Sequence, residues 1–454
     1  MIIGKGVLSL IVFIAVIIII NTGFKKNIVF AMFAAWLATM LLDIKNFGSL
    51  FVASLWDGIV GDVIFPSMCF CFMAILMNRT GIIRRLVNIF NAIFWRITGS
   101  AGYVSTLTSV VLGMITGSGP GIAAVSGAIT IPWMVNSGFP SSVATTIITG
   151  NVTLAASTPP STSMFMLLAM PAIAGTISPG ALYLTLMTGG AYIVLARFIN
   201  VWWYIRKYNI QPVQRKNVMP LRQALKEGWK SLFIFLGVII PLALTTGPLS
   251  DLLARLPFGE AGVDGIDMML WIPVLLSIII ALEGKKYLPK WTDLSGWANM
   301  LGEDILSYPT VGGTIVFSIA ASTVMAELNL SGEMSSVFGL LGNLNPIITV
   351  MVVGLVIMVV AGPLNPTGTT AALGSVAFLT LTGIGASPGA AISAFLIFGS
   401  TEGCIPPASA PLYVASSISR LKDPAVCLKD LVFKYAAVNF VIGTLIGASI
   451  LPVL

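Results

Sequence analysis

Long apolar runs, not a polar/apolar alternation, organise this chain. They mark spans near 6–22, 28–42, 61–78, 142–170, 179–201, 231–247, 268–282, 309–325, 388–417 and 435–453. A helix needs about 20 apolar residues to cross a hydrocarbon core about 30 Å thick, and most of these runs suit that length. Two more apolar stretches, 104–135 and 346–382, carry a Gly/Pro break in the middle. Each half is about 14 residues, too short to cross, so both are expected to be re-entrant helical hairpins that return to the side they entered from. Near 80–95, Arg84 and Arg85 sit amid Ile, Leu and Phe. That pattern predicts a helix lying in the interface and supporting the first hairpin.

The breaks occur twice. TGSGPG at 116–121 is followed by STPPS at 157–161, and GPLNPTG at 362–368 is followed by CIPPAS at 404–409. Pro120 corresponds to Pro366, and Pro159-Pro160 to Pro406-Pro407, at nearly the same offset. Duplicated interruptions in apolar segments point to the binding site of a secondary transporter. Backbone groups freed by such breaks find no partner in lipid and must be satisfied by protein, ions or cavity water.

Composition sets the class. Only 9% of the 454 residues are charged and 57% are hydrophobic, with a mean hydropathy of +0.97. The chain is expected to be an all-α polytopic membrane protein. The run at 7–20 is followed, not preceded, by Lys25-Lys26 and lacks a small-residue cleavage site, so it reads as a span and not a leader. The net charge of +7 reads as topogenic and argues against nucleic-acid binding. With both termini outside, every Lys and Arg except Lys5, Lys45 and Arg255 falls inside, counting Arg197 at the membrane end of its span. Treating either hairpin as a full span destroys this asymmetry.

Under that topology the first hairpin enters from the cytoplasm and the second from outside. The expected organisation is two inverted-topology repeats, 1–201 and 231–454, joined by a basic cytoplasmic linker at 202–230. Each repeat holds a re-entrant hairpin and a Pro-Pro-broken transmembrane helix, at 142–170 and 388–417. In the linker Arg222, Lys226 and Lys230 recur at helical spacing, which suits a segment lying along anionic headgroups or a solvated loop.

The residues at the breaks suggest the chemistry. The first tip offers Ser118 and the backbone around Gly119; the second offers Asn365, Thr367 and Thr369. The broken spans add Asn151, Ser157, Thr158 and Ser161, then Ser409. Unwound carbonyls with hydroxyl oxygens make a hard-cation site suited to Na⁺, and half-helix N-termini turn their positive ends toward an anion. A small organic anion and sodium are therefore expected to bind together. Glu402 is the acid placed inside a membrane segment, one turn before Pro406. It can coordinate a cation, carry a proton, hydrogen-bond substrate while neutral, or line a water-filled vestibule. Its counterpart near Ala155 is apolar.

Other chemistry is excluded. There is no histidine, the four cysteines show no disulfide or metal spacing, and no GxxxxGK[ST] phosphate loop occurs. With no nucleophile–base pairing, an enzyme is not expected.

Two long motifs carry a resemblance to a known family. The segment from TGSGPG to STPPS, and NPTGTTAALGSVAFLTLTGIGASP followed by CIPPASAPLYVASSIS, resemble the hairpins and broken spans of the large membrane subunit of tripartite ATP-independent periplasmic (TRAP) transporters, DctM-like members of the ion transporter superfamily. The resemblance implies an elevator mechanism, sodium coupling through about two ion sites, and carboxylate substrates. It also implies a small four-helix membrane subunit, an extracytoplasmic substrate-binding protein, and a bacterial or archaeal cytoplasmic (inner) membrane. The sodium ligands it implies are Ser118 with Gly119 and neighbouring carbonyls, and Asn365 and Thr367 with carbonyls near Cys404 and Ile405. Thr158 and the broken segments 157–161 and 402–409 complete the sites. The alternative is a stand-alone Na⁺ or H⁺ symporter of organic acids from the same superfamily, driven through Glu402.

Overall fold

The computed structural model describes residues 4–24, 26–60, 64–116, 119–211, 219–245, 248–256, 259, 268–304, 307–330, 332–333, 345–361, 366–405 and 410–454. Ser118, Asn365, Ser409 and the Pro406-Pro407 pair lie outside them. Among the described residues every regular element is a helix.

Local caps explain several helix starts. Asn27 accepts from the Val29 amide at 2.9 Å and opens Ile28–Met40. Ser178 and Ser387 open Pro179–Tyr208 and Pro388–Gly399. Each accepts from the amide three residues on at 3.2 Å, with proline at the first helical position. Such caps satisfy amides that lipid leaves bare. The two Ser-Pro-Gly starts lie side by side. A Cβ on Gly389 would meet Thr185 Oγ1 at 2.9 Å, and one on Gly189 would meet Ser393 Oγ at 2.3 Å. The same register at both contacts means that the two helices pack in parallel through glycine.

Each of the two interrupted stretches folds as a pair of packed helices. In the first, Ser100–Thr116 and Gly119–Asn136 run antiparallel. Ser109 and Ser126 hydroxyls lie 3.4 Å apart, and Thr130 Oγ1 donates to Ser105 Oγ at 3.3 Å. In the second, Pro346–Ala361 packs against Pro366–Gly383. The legs hold 17, 18, 16 and 18 residues, longer than the apolar pattern implied. In the first pair the gain comes from Ser100–Thr116, which begins four residues before the apolar run; the second pair keeps within one residue of the run at 346–382.

Both broken spans are broken. The first comprises Ser141–Asn151, a short turn Leu154–Ser157, and Thr162–Ala169. The second comprises Pro388–Gly399 and Ala410–Ser419. Each hairpin packs against the first half of its own broken span and the second half of the other. The four elements thus form one body, with the breaks inside it.

The structure corrects the sequence reading in three places. Residues 47–60, outside the apolar runs read as spans, form the helix Phe47–Val60. It follows a kink at Asp43 (φ −136°, ψ 68°) and folds back on Ile28–Met40, where Trp36 Nε1 donates to Ser54 Oγ at 3.1 Å and the Trp36 ring stacks on Phe51 at 5.1 Å. Polar Asp43, Lys45, Asn46 and Asp57 dilute the apolar signal there. Among the described residues, Pro179–Tyr208 and Leu221–Thr245 are long and apolar enough to cross a membrane; Val29–Val60 matches them in length and composition but is folded back at Asp43. Second, Asp57 lies on this helix, exposed and accepting from Thr323 Oγ1 at 3.1 Å. Third, the span expected at 179–201 runs on to Tyr208 and stops where Asn209 turns left-handed (φ 52°), which shortens the linker.

The amphipathic helix expected near 80–95 is Ile82–Phe94. It buries Ile82, Ile83, Leu86, Val87, Ile89 and Ala92 along one stripe and leaves Arg84 exposed. It packs on the first leg of the first hairpin and on the linker helix Leu221–Gly228. That linker helix buries Ala224 and Gly228 and exposes Arg222 and Lys226.

Candidate functional site

Breaking a helix within protein exposes peptide groups in a dry place, so burial is the first test of the two breaks. Residues 151–161 are all buried, as are 400–404. Side chains satisfy part of the first break. Thr158 Oγ1 donates to the Leu154 carbonyl at 2.5 Å and Ser157 Oγ to that of Thr153 at 3.1 Å. Ser161 caps Thr162–Ala169 by accepting from Met164 N at 3.2 Å. Tyr183 donates its hydroxyl to the Pro159 carbonyl at 3.2 Å. The hydroxyl oxygens of Ser157, Thr158 and Ser161 keep lone pairs free to meet a cation or a donor.

The two breaks meet at Gly119. A Cβ there would lie 2.7 Å from Glu402 Oε2, 2.7 Å from Val152 Cγ1 and 3.2 Å from Pro411 Cγ. The start of the first hairpin's second leg is thus in contact with the end of the first half of the first broken span and with both sides of the second break. The positive end of Gly119–Asn136 faces the Glu402 carboxyl. Glu402 is only 6% exposed, and its Oε2 has no hydrogen-bond partner among the described residues. An unpartnered carboxylate oxygen in such a place costs several kcal/mol, of order 1–3 or more. A site that binds a cation or a proton recovers that cost.

Of the predicted residues, Gly119 and Glu402 are brought into contact. Asn151 is buried one residue from Val152; its Nδ2 donates to Thr106 Oγ1 at 3.1 Å, and its Oδ1 is buried without a partner among the described residues. Thr158 packs on Gly190 of the neighbouring span. Thr367 is half-buried in the first turn of Pro366–Gly383, and Thr369 is buried against Gly399, at the end of the first half of the second broken span. Cys404 is buried and Ile405 half-buried. Ser118, Asn365 and Ser409 are outside the described residues. Among the described residues no three His, Cys, Asp or Glu side chains gather. A cation held here takes hydroxyl, amide and carbonyl oxygens, with the Glu402 carboxyl beside them.

Sequence reasoning misplaced one residue. Arg197 was counted with the cytoplasmic charges, yet it is fully buried. Its Nη2 donates to Thr153 Oγ1 at 2.9 Å and to Asn439 Oδ1 at 2.6 Å, and its guanidinium lies 4.5 Å from the Tyr435 ring centre. Nε and Nη1 have no partner among the described residues. The Asn439 that Arg197 holds donates in turn to the Ile397 carbonyl at 3.5 Å, near the end of the first half of the second broken span. A buried cation and a buried acid therefore flank the second break. The signal was available in the sequence. Trp202 and Trp203 read as interfacial anchors, which sets Arg197 about 8 Å deeper at 1.5 Å per residue.

Comparison with known proteins adds the following. The family model for the DctM component of tripartite ATP-independent periplasmic transporters matches residues 7–451. YgiK, an uncharacterized protein of Salmonella typhimurium, is 27% identical over 237 residues, 50% of this chain and 54% of that one. The C4-dicarboxylate TRAP transporter large permease protein of Pseudomonas aeruginosa is 27% identical over 173 residues, 38% of this chain and 39% of that one. The chain thus spans about half or less of the length of these curated relatives. Among solved structures, the YdaH transporter of Alcanivorax borkumensis superposes with a TM-score of 0.61 over 90% of this chain and 89% of its own, at 14% identity. That likeness is one of fold.

Proposed function

Because the chain belongs to the DctM component family of TRAP transporters, a family of membrane permeases and not of enzymes, we propose that it is the large permease subunit of a three-part importer of a small organic anion. The anion is a carboxylate, and a sodium gradient drives its uptake. The observation that carries this reading is the meeting of Gly119 and Glu402. It joins one hairpin tip and both broken spans in a single buried site, as coupled binding of ion and solute requires.

The parts have separate roles. Sodium takes the oxygens of the two tips, Ser118 with the Gly119 backbone and Asn365 with Thr367, together with Thr158 and carbonyls at Cys404 and Ile405. The carboxylate lies between the breaks, against Asn151, Ser157, Ser161, Thr369 and Ser409, with Glu402 nearby. Arg197 offsets the negative charge there without touching the solute. The hairpins and broken spans move together as the elevator body, since each hairpin packs on both broken spans. The repeats are inverted, both termini face outward, and the protein sits in a bacterial or archaeal inner membrane. A small four-helix membrane subunit and an extracytoplasmic binding protein complete the system.

The test is uptake into proteoliposomes over a carboxylate panel, with and without an imposed sodium gradient, and with the two partners present or withheld. Sodium-driven uptake of one carboxylate that needs both partners supports the reading; uptake indifferent to sodium ends it. The unpartnered Glu402 Oε2 favours a second reading, a stand-alone H⁺- or Na⁺-driven symporter. Stable copurification of a small helical subunit separates the two.

A further inference from the structure

Away from the transport site, an open cavity of about 1140 Å³ lies where the interfacial helix, the linker helix and the end of Met268–Glu283 meet. Six cations line it, Arg84, Arg85, Lys226, Lys230, Lys285 and Lys286, against two carboxylates, Glu227 and Glu283. Its floor is built and neutral. Arg85 Nη2 pairs with Glu283 Oε2 at 2.5 Å, Arg85 Nη1 donates to the Thr80 carbonyl at 3.0 Å, and Ser231 bridges Arg85 Nε and Glu283 Oε1 at 3.0 and 2.9 Å. These two side chains are 12% and 8% exposed. Glu227 accepts from Gln223 at 2.9 Å. The other five cations therefore face the opening with their charge uncompensated by the floor.

The surroundings identify the ligand. Trp229 and Tyr287 line the same cavity at 48% and 49% exposure, as ring side chains do at headgroup depth. Gly228 lets the linker helix close on Arg85 and Ile89, so the wall does not depend on the mobile ends of lysines. Within three turns of the cavity, two packed helices expose apolar side chains: Phe233, Leu236 and Ile240 on one, Ile278 and Leu282 on the other. A phosphate at the cations with hydrocarbon along those side chains has the shape of a lipid and not of a free ion.

We propose that this cavity holds the headgroup phosphate of an anionic phospholipid whose acyl chains lie along the exposed apolar side chains of 233–240 and 278–282. Lys226, Lys230, Lys285 and Lys286 supply the charge, while Arg85, Glu283 and Ser231 hold the walls in place. The lipid ties the linker between the two halves to the interfacial helix under the first hairpin.

The test uses the full chain, delipidated in detergent and then titrated with phosphatidylglycerol or with phosphatidylcholine, read by native mass spectrometry and thermal unfolding. Phosphatidylglycerol is expected to be retained and to raise the unfolding temperature more than phosphatidylcholine. A Lys226→Gln, Lys230→Gln, Lys285→Gln, Lys286→Gln variant leaves the floor intact and is expected to retain phosphatidylglycerol about tenfold more weakly. Equal retention by variant and wild type, or no lipid preference in the wild type, overturns the proposal. Inorganic phosphate that reproduces the stabilisation assigns the cavity to a free anion and overturns it as well. So does a small membrane subunit that displaces phosphatidylglycerol without loss of stability.

Discussion

Arg197 Nη2 donates to Asn439 Oδ1 at 2.6 Å, joining the last helix of the first half of the chain to the last helix of the second. The same nitrogen reaches Thr153, between the two short helices of the first broken span. Asn439 in turn donates to the Ile397 carbonyl at 3.5 Å, at the end of the first half of the second broken span. One buried side chain thus braces both broken spans, the neighbouring long helix and the final helix.

Replacing Arg197 with Met is expected to lower the unfolding free energy by about 2 kcal/mol or more, because two buried acceptors lose a charged donor. Arg197→Lys is expected not to rescue it, since an ammonium has neither the planar fork nor the flat face that meets Tyr435. Thermal unfolding of the purified variants checks both, and a Lys variant as stable as wild type contradicts the bracing role.

Gly119→Ala is expected to abolish uptake while the protein still folds. The new Cβ would stand 2.7 Å from both Glu402 Oε2 and Val152 Cγ1, so the hairpin tip must move away from the breaks. Overpacking of this kind costs about 1–3 kcal/mol, which a large membrane protein survives. Normal uptake by this variant, measured in proteoliposomes at matched protein levels, contradicts the tight junction.

Glu402→Gln is expected to weaken activation of uptake by sodium and to leave the pH profile of uptake unchanged, because the carboxyl adds negative charge beside neutral oxygen ligands. The opposite pattern, a flattened pH profile with sodium activation intact, assigns Glu402 to protons and favours the stand-alone symporter.

Thr367→Ala and Ser118→Ala are each expected to raise the sodium concentration for half-maximal uptake by about tenfold, the worth of about 1.4 kcal/mol for one lost oxygen ligand. Sodium titrations of initial rates measure this. Unchanged half-saturation in both variants removes the tips from the ion site.

Much of the architecture was legible in the order of apolar runs. TGSGPG and GPLNPTG announced two breaks between paired helices, STPPS and CIPPAS two interrupted helices, and IIRRLVNIF an amphipathic helix; the described helices flanking these breaks, and Ile82–Phe94, have these forms. The physical reason is that a bilayer leaves few options. Backbone that cannot pair with lipid must be helical, and Gly or Pro in an apolar stretch marks where it is not. Legibility failed where charge and apolar residues mix. Asp43 and Lys45 masked the helix Phe47–Val60, and Arg197 looked like one more cytoplasmic charge.

The sequence by itself determined the helical class, the places where helices break and the small polar residues at those places, because each follows from local composition in a medium without hydrogen bonds to offer. Only the tertiary structure decided that Glu402 faces Gly119, that each hairpin packs on both broken spans, and that Arg197 is sealed inside. Those relations join residues hundreds of positions apart, and nothing local encodes them. They are set by which helix surfaces close on one another through glycine, and by where a buried charge finds its partners.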